Sequence, residues 1–466
     1  MLSIYNVVYE SLISIDDNYL PQPCLCESWE ESNAGKTWTF HLRSDVLFSD
    51  GTPLTASDVV ASAQAILDRA NDESTENPGF YMNLKYFVEK ISATNDSTVV
   101  VKAKRKYYGL LFAMTFPVVP ADRITAENPP GTGPYMISVF EPGDYMWLQA
   151  NPHWWQNQPQ VKELMVSLHD TAAKAMESYE YARVDCIFTR SIAATQHRTG
   201  ITSLSMPYST NQLECLLTNN ISSELTRNCR YAIRYAIDID KIISNVYMNM
   251  AVRTDTPMRP GTWMYNDNLS SWFVRDVEKA KALLAEDGWE DSNEDGILDK
   301  LNSDGKLVNL HLRFYVYEEP DNNVRVEAAN MIADALAEIG ISTKIETMTF
   351  PALKEKLSAG SFDLALCGYA MDVCPDPGFL LIRSNTGNYF RYKSEDMKAL
   401  FDELRTRTTQ SGYQEILYKI QEKFAEDCPF ICLYYRTGAV LSRYMYTVAR
   451  DVREYELLRG IQSFPK

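Results

Sequence analysis

One short acidic segment has the residue types and spacing of a metal-binding loop. Residues 291–299 read DSNEDGILD, with oxygen-bearing side chains at loop positions 1, 3, 5 and 9 and glycine at position 6. Calcium loops use carboxylate and amide oxygens at such a spacing, with a glycine at the sharp turn. Position 12 is Asn302 instead of a bidentate glutamate, and Gly288 stands where an entering helix would end. We therefore expect an ordinary loop, with calcium binding as the alternative.

Catalytic motifs are missing from the sequence. It contains neither Gly-x-Ser-x-Gly nor His-Glu-x-x-His, the spacings of a serine nucleophile and of a zinc protease helix. Residues 35–37 read GKT, but Glu30 stands where a phosphate loop has its first glycine. Residues 131–133 read GTG and are followed by Pro134, which predicts a tight turn instead of a dinucleotide-binding loop. We predict a protein that is not an enzyme and needs no cofactor.

The cysteines and histidines do not suggest a metal or redox centre. Nine cysteines cannot all pair within one chain. Cys24 and Cys26 are too close along a strand for an easy disulfide, and Cys428 and Cys432 are not at the redox Cys-x-x-Cys spacing. The chain has five histidines, and none adjoins a cysteine pair. We expect buried free thiols, with one structural disulfide as the alternative.

Length and charge restrict the class of protein. A chain of 466 residues predicts two or three domains with sizeable cores. Its 45 basic and 62 acidic residues leave a formal charge of −17. This balance argues against a nucleic-acid partner, because phosphate binding needs clustered Lys and Arg. The most apolar stretch, residues 107–120, is short and contains Pro117, whereas a membrane span needs ~20 apolar residues.

Local patterns predict the elements that would position functional residues. Residues 37–42 alternate apolar and polar side chains, as in a half-buried strand. Thr55 with Asp58 three residues later predicts a capped helix start. Further along, strands and helices alternate over five segments: 310–315, 328–339, 341–345, 351–359 and 362–368. This βαβαβ order predicts a largely parallel sheet, which binds ligands beyond the carboxyl ends of its strands.

One long run within residues 25–67 includes ESWE at 27–30, TFHLR at 39–43, DGTPLTA at 50–56 and DVV at 58–60. This run and the order of the elements closely resemble one family, the large extracytoplasmic solute-binding proteins of ABC importers (solute-binding protein family 5), which carry peptides, nickel complexes and related solutes. Later matches include GTGPY at 131–135, residues 228–238, 276–286 and 429–436. The resemblance thus covers nearly the whole chain.

This resemblance implies an α/β fold, a two-lobed periplasmic-binding-protein-like clamp of class II type with an extra β-rich subdomain in the first lobe. The segments expected are 1–28 (lobe I core), 29–150 (β-rich subdomain), 151–213 (lobe I core), 214–429 (lobe II) and 430–466 (return to lobe I). Residues 2–12 resemble a family segment that normally follows an export signal and a first strand. We therefore expect that the N-terminal signal has been trimmed.

The resemblance also implies a ligand site. Residues 368–377 read GYAMDVCPDP and match a family loop after a buried strand. In peptide-binding members, the aspartate that matches Asp372 receives the ligand's α-ammonium group, and the aromatic residue that matches Tyr369 packs beside it. The alternative role for Asp372 is to cap the loop before Pro375, although Asp376 suits that task better. Position 369 departs from the more common Trp, which leaves the ligand class open.

Four further residues are weaker candidates for ligand binding. Asn219 matches an asparagine near the expected hinge and could donate to a ligand backbone, or it could satisfy its own backbone. Tyr208 lies on the same approach. Trp263 lies in a loop that could face the cleft or pack into the core. Arg383 could bind a ligand carboxylate bidentately, or form a surface salt bridge.

The function implied is capture of a peptide or peptide-like solute between two lobes that close about a hinge, with delivery to an ABC permease in the membrane. We expect an extracytoplasmic monomer, periplasmic or lipid-anchored, that has no nucleic-acid partner. One alternative is the ligand-sensing domain of a transcription regulator with the same fold. Another is a binder of a metal chelate, haem or oligosaccharide, since the fold does not choose among these functions.

Overall fold

The computed structural model describes residues 2–72, 81, 84–197, 204–270, 272–302, 304–320, 322–383, 387–443 and 452–463. The chain divides into two compact units. Unit 1 consists of Met1–Thr210, Leu404–Tyr413 and Gly438–Lys466, and unit 2 of Asn211–Glu403 and Gln414–Thr437. The chain changes unit within the strands Leu204–Thr218 and Phe430–Ser442. The lobe boundaries expected at 213/214 and 429/430 stay predictions.

The described part of unit 1 is rich in antiparallel sheet. One two-stranded sheet consists of Ile13–Ile15 and Pro21–Pro23. A four-stranded sheet consists, in order, of Cys26–Ser32, Thr37–Leu42, Thr98–Ala103 and Val88–Asn95, and a three-stranded sheet of Tyr135–Glu141, Tyr145–Ala150 and Glu163–Ser167. The strand Cys186–Thr189 pairs with the end of Phe430–Ser442. The helices are Ala56–Asn71, Leu84–Phe87, Leu110–Ala113 and Ala172–Glu180, with short 3-10 turns at Leu2–Val7, Ala121–Arg123, Ile192–Gln196 and Ile461–Ser463.

The predicted strand and capped helix of unit 1 are confirmed. In Thr37–Leu42 the buried positions alternate with half-buried ones, so one face of the strand packs into the core. The helix Ala56–Asn71 begins at Thr55, whose backbone N–H donates to the Asp58 carboxylate at 2.8 Å. This bond satisfies a donor next to the helix start and places a negative charge in the first turn, where the helix dipole favours it.

The segment at 131–133 packs directly on the N-terminal chain. A Cβ atom on Gly131 would lie 2.0 Å from the Val8 carbonyl oxygen, and one on Gly133 would lie 2.6 Å from the Val7 carbonyl oxygen. The Gly133 N–H donates to the Val8 carbonyl at 2.9 Å. Only glycine permits so close a backbone approach, which gives this motif a structural role.

A partly buried carboxylate lies beside the same segment. The Glu10 carboxylate accepts the indole N–H of Trp155 at 2.8 Å and that of Trp154 at 3.3 Å. Burial raises its pKa to about 7, although these bonds and Arg43 favour the charged form. Desolvation is therefore the larger effect.

Unit 2 is built on a parallel core. His311–Tyr317 pairs in parallel with Ser342–Met348 on one side and with Leu364–Ala370 on the other. Leu364–Ala370 in turn pairs antiparallel with residues 212–218 of the long strand. The helices Val324–Glu338 and Phe350–Ala359 connect the parallel strands, so the predicted βαβαβ order is confirmed.

The remaining elements of unit 2 surround this core. The additional strands are Ala251–Arg253, which pairs with Phe430–Ser442, and the pair Asp299–Leu301 and Leu307–Asn309. The additional helices are Arg227–Ala236, Ile239–Asn245, Val277–Glu286, Gly378–Leu381, Glu395–Leu404 and Gln410–Asp427, with a 3-10 turn at Asp267–Leu269.

Candidate functional site

The candidate site lies at the carboxyl end of the strand Leu364–Ala370. The first four residues of this strand are buried, and exposure increases toward Ala370. The next residue, Met371, donates its N–H to the Asn211 carbonyl at 2.8 Å and so continues the pairing with the neighbouring strand by one residue. A loop then leads to the helix Gly378–Leu381. This is the edge of a parallel sheet at which ligands bind.

Asp372 is the first charged residue beyond the strand. It is exposed to solvent, yet desolvation raises the pKa of its carboxyl above the ordinary value. The surrounding protein thus reduces the hydration of a carboxylate that solvent still reaches. An accessible carboxylate that is hydrated less than on an open surface fits a recess lined by protein. Such a group gains more from a cationic partner than a fully hydrated one does.

Loop capping is shared between the two aspartates of this segment. The Asp372 Oδ1 accepts the Cys374 N–H at 3.2 Å, and the Asp376 Oδ1 accepts the Gly378 N–H at 2.9 Å. Asp376 thus holds the start of the helix Gly378–Leu381. Asp372 takes part in the loop as well, and this bond orients its carboxylate.

Tyr369 anchors the strand beside the loop. It is half-buried, and its hydroxyl donates to the Gly387 carbonyl at 2.7 Å. Its ring meets the Phe379 ring edge-on, with 6.3 Å between the centroids. Burial raises the pKa of Tyr369 well above its ordinary value, so the phenol is neutral. Tyr369 lies three residues before Asp372 in the chain, and its packing beside a ligand stays a prediction.

Arg259 adds a cation to this edge, and the sequence patterns did not single it out. Its Nη2 donates to the Asn211 Oδ1 at 3.1 Å, and Asn211 is the residue whose carbonyl receives the Met371 N–H. Its guanidinium lies 4.7 Å from the ring centroid of Tyr435. In the sequence, the only indication of a role for Arg259 is that a cation directly precedes the turn residues Pro260 and Gly261. Its hydrogen-bond partner Asn211 lies 48 positions away in the chain.

Trp263 lies in the same loop as Arg259. Thr262 Oγ1 donates to the Arg259 carbonyl at 2.8 Å, and the Trp263 carbonyl accepts the Gln414 side-chain N–H at 2.6 Å. The indole is half-buried. Its ligand role stays a prediction.

Arg383 follows the helix Gly378–Leu381, where its backbone N–H donates to the Gly378 carbonyl at 3.2 Å. It is half-buried and precedes residues 384–386, which lie outside the described part of the chain. The two expected roles of its guanidinium, carboxylate binding and a surface salt bridge, both stay predictions.

Asn219 and Tyr208 lie in interior positions. Asn219 is 5% exposed, and its amide donates to the carbonyls of Phe362 at 2.9 Å and Gly360 at 3.1 Å. These bonds favour the alternative in which Asn219 satisfies backbone carbonyls of the protein instead of donating to a ligand, since both amide hydrogens are used. Tyr208 is 6% exposed within unit 1, where a Cβ on Gly438 would lie 2.0 Å from its ring. This packing favours a core role for Tyr208.

A network of four charges, three of them buried, lies beside the strand that leads to the candidate edge. Glu214, opposite Gly368 in the sheet, accepts two N–H bonds from Arg325, at 2.7 and 3.0 Å. Glu319 lies 2.9 Å from Arg325 and 2.7 Å from Arg436. Burial alone would lower the pKa of Arg325, but Glu214 and Glu319 raise it above its ordinary value. The network holds two positive and two negative charges, and so it is balanced.

The acidic loop at 291–299 binds its own backbone. Asp291 accepts the N–H groups of Asp295 at 3.1 Å and Gly296 at 2.9 Å. Asp299 is buried and accepts the Ser292 hydroxyl at 2.6 Å. Among the described residues, no group of three His, Cys, Asp or Glu side chains is arranged to hold a metal ion. The contacts agree with an ordinary loop.

All nine cysteines lie within the described residues, where they are free thiols; seven are buried, and Cys24 and Cys186 are half-buried. Cys215 faces Cys367 across the antiparallel pair. Burial raises the pKa of the Cys428 thiol to about 11. The Cys428 thiol is therefore protonated, and the buried cysteines pack as small apolar side chains.

The fold and the edge of the sheet define the class of protein to which the chain belongs. The family model of the bacterial extracellular solute-binding proteins, family 5 middle, matches residues 21–390. The chain therefore belongs to family 5 of these solute-binding proteins. In the described residues no helix is both long and apolar enough to span a membrane.

Two relatives show the range of solutes within this family. The chain is 26% identical to the oligopeptide-binding protein AppA of Bacillus subtilis, over 97% of this chain and 86% of the relative. It is 23% identical to haem-binding protein A of Haemophilus influenzae, over 90% of this chain and 79% of the relative. Both relatives are named for binding and not for catalysis.

A solved structure confirms the predicted fold class. The crystal structure of NikA from Brucella suis in complex with Fe(III)-EDTA matches with a TM-score of 0.82. The match covers 100% of this chain and 95% of that chain at 20% sequence identity. The chain thus has the α/β fold of the family 5 binding proteins.

Proposed function

We propose that this protein is the solute-binding component of an ABC importer and that its solute is a peptide or peptide-like molecule with a free ammonium group. The observation that carries the proposal is Asp372, an exposed carboxylate with a raised pKa at the carboxyl end of a parallel strand. The oligopeptide-binding relative supports the same class of solute.

The chemistry of Asp372 suits an ammonium ligand. Desolvation weakens the hydration of the charged carboxylate, and a bound cation restores the lost stabilisation. The bond to Cys374 orients one oxygen and leaves the carboxylate accessible to solvent. Tyr369 supports the loop through Gly387. Because the ammonium group is common to all peptides, recognition through it favours a broad range of side chains.

The first experiment measures peptide affinity by isothermal titration calorimetry for the wild-type protein, Asp372→Asn and the control Asp376→Asn. Asp376 is a matched control, since it is an aspartate of the same loop that caps a helix start. We expect Asp372→Asn to weaken binding at least tenfold, because removing one partner of a charge pair costs ~2–5 kcal/mol. We expect Asp376→Asn to have little effect on affinity. Equal affinities for all three proteins would refute the role of Asp372.

Native mass spectrometry of protein purified without refolding separates the solute classes. A peptide series retained by the protein would support the proposal. A retained haem or metal chelate would contradict it, and that outcome has a basis in the haem-binding relative and in the Fe(III)-EDTA complex of NikA. The same spectra report the monomer that we propose as the working state. In the proposed role the protein works outside the cytoplasm and delivers its solute to an ABC permease in the membrane.

A further inference from the structure

We infer that Arg259 binds a carboxylate group of the solute, so that the protein selects peptides whose ammonium and carboxylate lie close together. This inference rests on the proposed function and refines it. It assigns the cation of the site to a loop position that lies 113 residues before Asp372 in the sequence. Both residues belong to unit 2.

Asn211 connects the two charges. Its side chain receives the Arg259 guanidinium at 3.1 Å, and its carbonyl receives the N–H of Met371, the residue before Asp372, at 2.8 Å. Neighbouring strands lie ~4.8 Å apart, and one Cα step spans ~3.8 Å. When the Asn211 and Asp372 side chains are included, each ~3.5 Å from Cα to oxygen, the longest path from guanidinium to carboxylate through Asn211 is roughly 19 Å, or about five to six residues of extended peptide. A short peptide can reach both groups.

The guanidinium is held in a defined orientation. Its plane lies over Tyr435, which is 2% exposed and whose hydroxyl donates to the Pro257 carbonyl at 3.4 Å. Thr262 holds the Arg259 carbonyl. The backbone on both sides of Arg259 is thus fixed by hydrogen bonds, and the aromatic face restricts the rotation of the guanidinium. Such preorganisation reduces the entropy lost when a ligand binds.

A carboxylate is the ligand group that fits this arrangement. Guanidinium presents paired N–H donors in a planar fork that matches the two oxygens of a carboxylate. Arg259 is half-buried, which strengthens its attraction for an anion relative to a residue on the open surface. The carboxylate can be the C-terminus of a short peptide or the side chain of an acidic residue, since both present the same group.

The experiment compares matched peptides by isothermal titration calorimetry. One pair is trialanine and trialanine amide, which differ in the C-terminal carboxylate. The other pair is Ala-Glu-Ala amide and Ala-Gln-Ala amide, which differ in a side-chain carboxylate. We expect the wild-type protein to bind the carboxylate member of at least one pair tenfold more tightly than its neutral partner. The pair that shows this affinity ratio identifies whether Arg259 binds a C-terminal or a side-chain carboxylate. Arg259→Met should reduce the ratio to about one, and Arg259→Lys should give an intermediate ratio because it keeps the charge but loses the fork.

The control is Arg227→Met, which removes another arginine of unit 2 that lies 5.3 Å from a tyrosine ring, that of Tyr231. It should keep the wild-type ratio. Thermal unfolding shows that each variant is folded, and Arg259→Lys tests the inference if Arg259→Met does not fold. Peptide binding with no preference in either pair, or a ratio that persists in Arg259→Met, overturns the role of Arg259 alone. Failure of the wild-type protein to bind any of these peptides overturns this inference together with the proposed function.

Discussion

The substitution Glu214→Gln tests whether the buried charge network stabilises the strand that leads to the candidate site. Glu214 is fully buried, and Arg325 and Arg436 are 3% and 6% exposed. The variant keeps the size and hydrogen-bonding capacity of the side chain but removes one negative charge. Two buried arginines then share the single carboxylate of Glu319, which lies 2.9 and 2.7 Å from them.

The expected cost is large because a charge without compensation remains buried. Breaking a buried ion pair by removing one partner costs ~3–5 kcal/mol, a large fraction of the ~5–15 kcal/mol of a typical domain. At ~1.4 kcal/mol per factor of ten, the local opening constant should rise by ~10²–10³ or more. The matched control is Glu415→Gln, which removes an exposed glutamate paired with Lys419 on one helix. Exposed pairs of this kind contribute little.

Native-state hydrogen exchange provides the assay. It reads the opening of unit 2 directly from the backbone amides of Leu364–Ala370, the strand that pairs with residues 212–218, and it does not require two-state unfolding of the whole chain. We expect faster exchange of these amides in Glu214→Gln and no change in Glu415→Gln. Adding Arg325→Met to Glu214→Gln restores the charge balance, so the double variant should be less unstable than the sum of the single ones. Exchange in Glu214→Gln within a factor of five of wild type would refute the reasoning.

Two further predictions concern unit 1. Burial raises the pKa of Glu10 to about 7 in the folded protein, so the folded state binds the carboxyl proton more tightly than the unfolded state does. The protonated carboxyl therefore contributes its full stabilisation below about pH 4.5, the ordinary pKa of Glu, and this contribution is lost as the pH rises through about 7. Thermal unfolding monitored by tryptophan fluorescence should show this decline in wild type and a smaller one in Glu10→Gln, whereas identical pH profiles would contradict it. Gly131→Ala should destabilise the protein by ~2–4 kcal/mol because the new Cβ would lie 2.0 Å from the Val8 carbonyl oxygen. The control Gly143→Ala should cost only ~1 kcal/mol, because Gly143 has a φ of +84° but no atom lies within 4 Å of the added Cβ. Urea unfolding measures both free energies of unfolding. If Gly143→Ala were the more destabilising of the two, the contact between the new Cβ and Val8 would be relieved at little cost.

Short-range patterns in the sequence predicted local secondary structure. Alternation in Thr37–Leu42 and the carboxylate three residues after Thr55 predicted a strand and a capped helix, because both depend on residues at most a few positions apart. The order of strands and helices likewise predicted the parallel core of unit 2, since parallel strands need a crossover connection. The same order located Asp372 just beyond a strand end.

Contacts between distant segments were decided only by the tertiary structure. Asn219 and Tyr208 are ligand candidates by residue type, and the burial of both, which favours structural roles, is visible only in the folded chain. Arg259 meets Asn211 from 48 positions away, and Glu214 meets Arg325 from 111 positions away. The sequence alone therefore determined the family, the elements and the position of Asp372. Which charges stand beside that carboxylate was decided by the packing of separate strands and loops, because hydrogen bonds and ion pairs depend on distances that sequence separation does not encode.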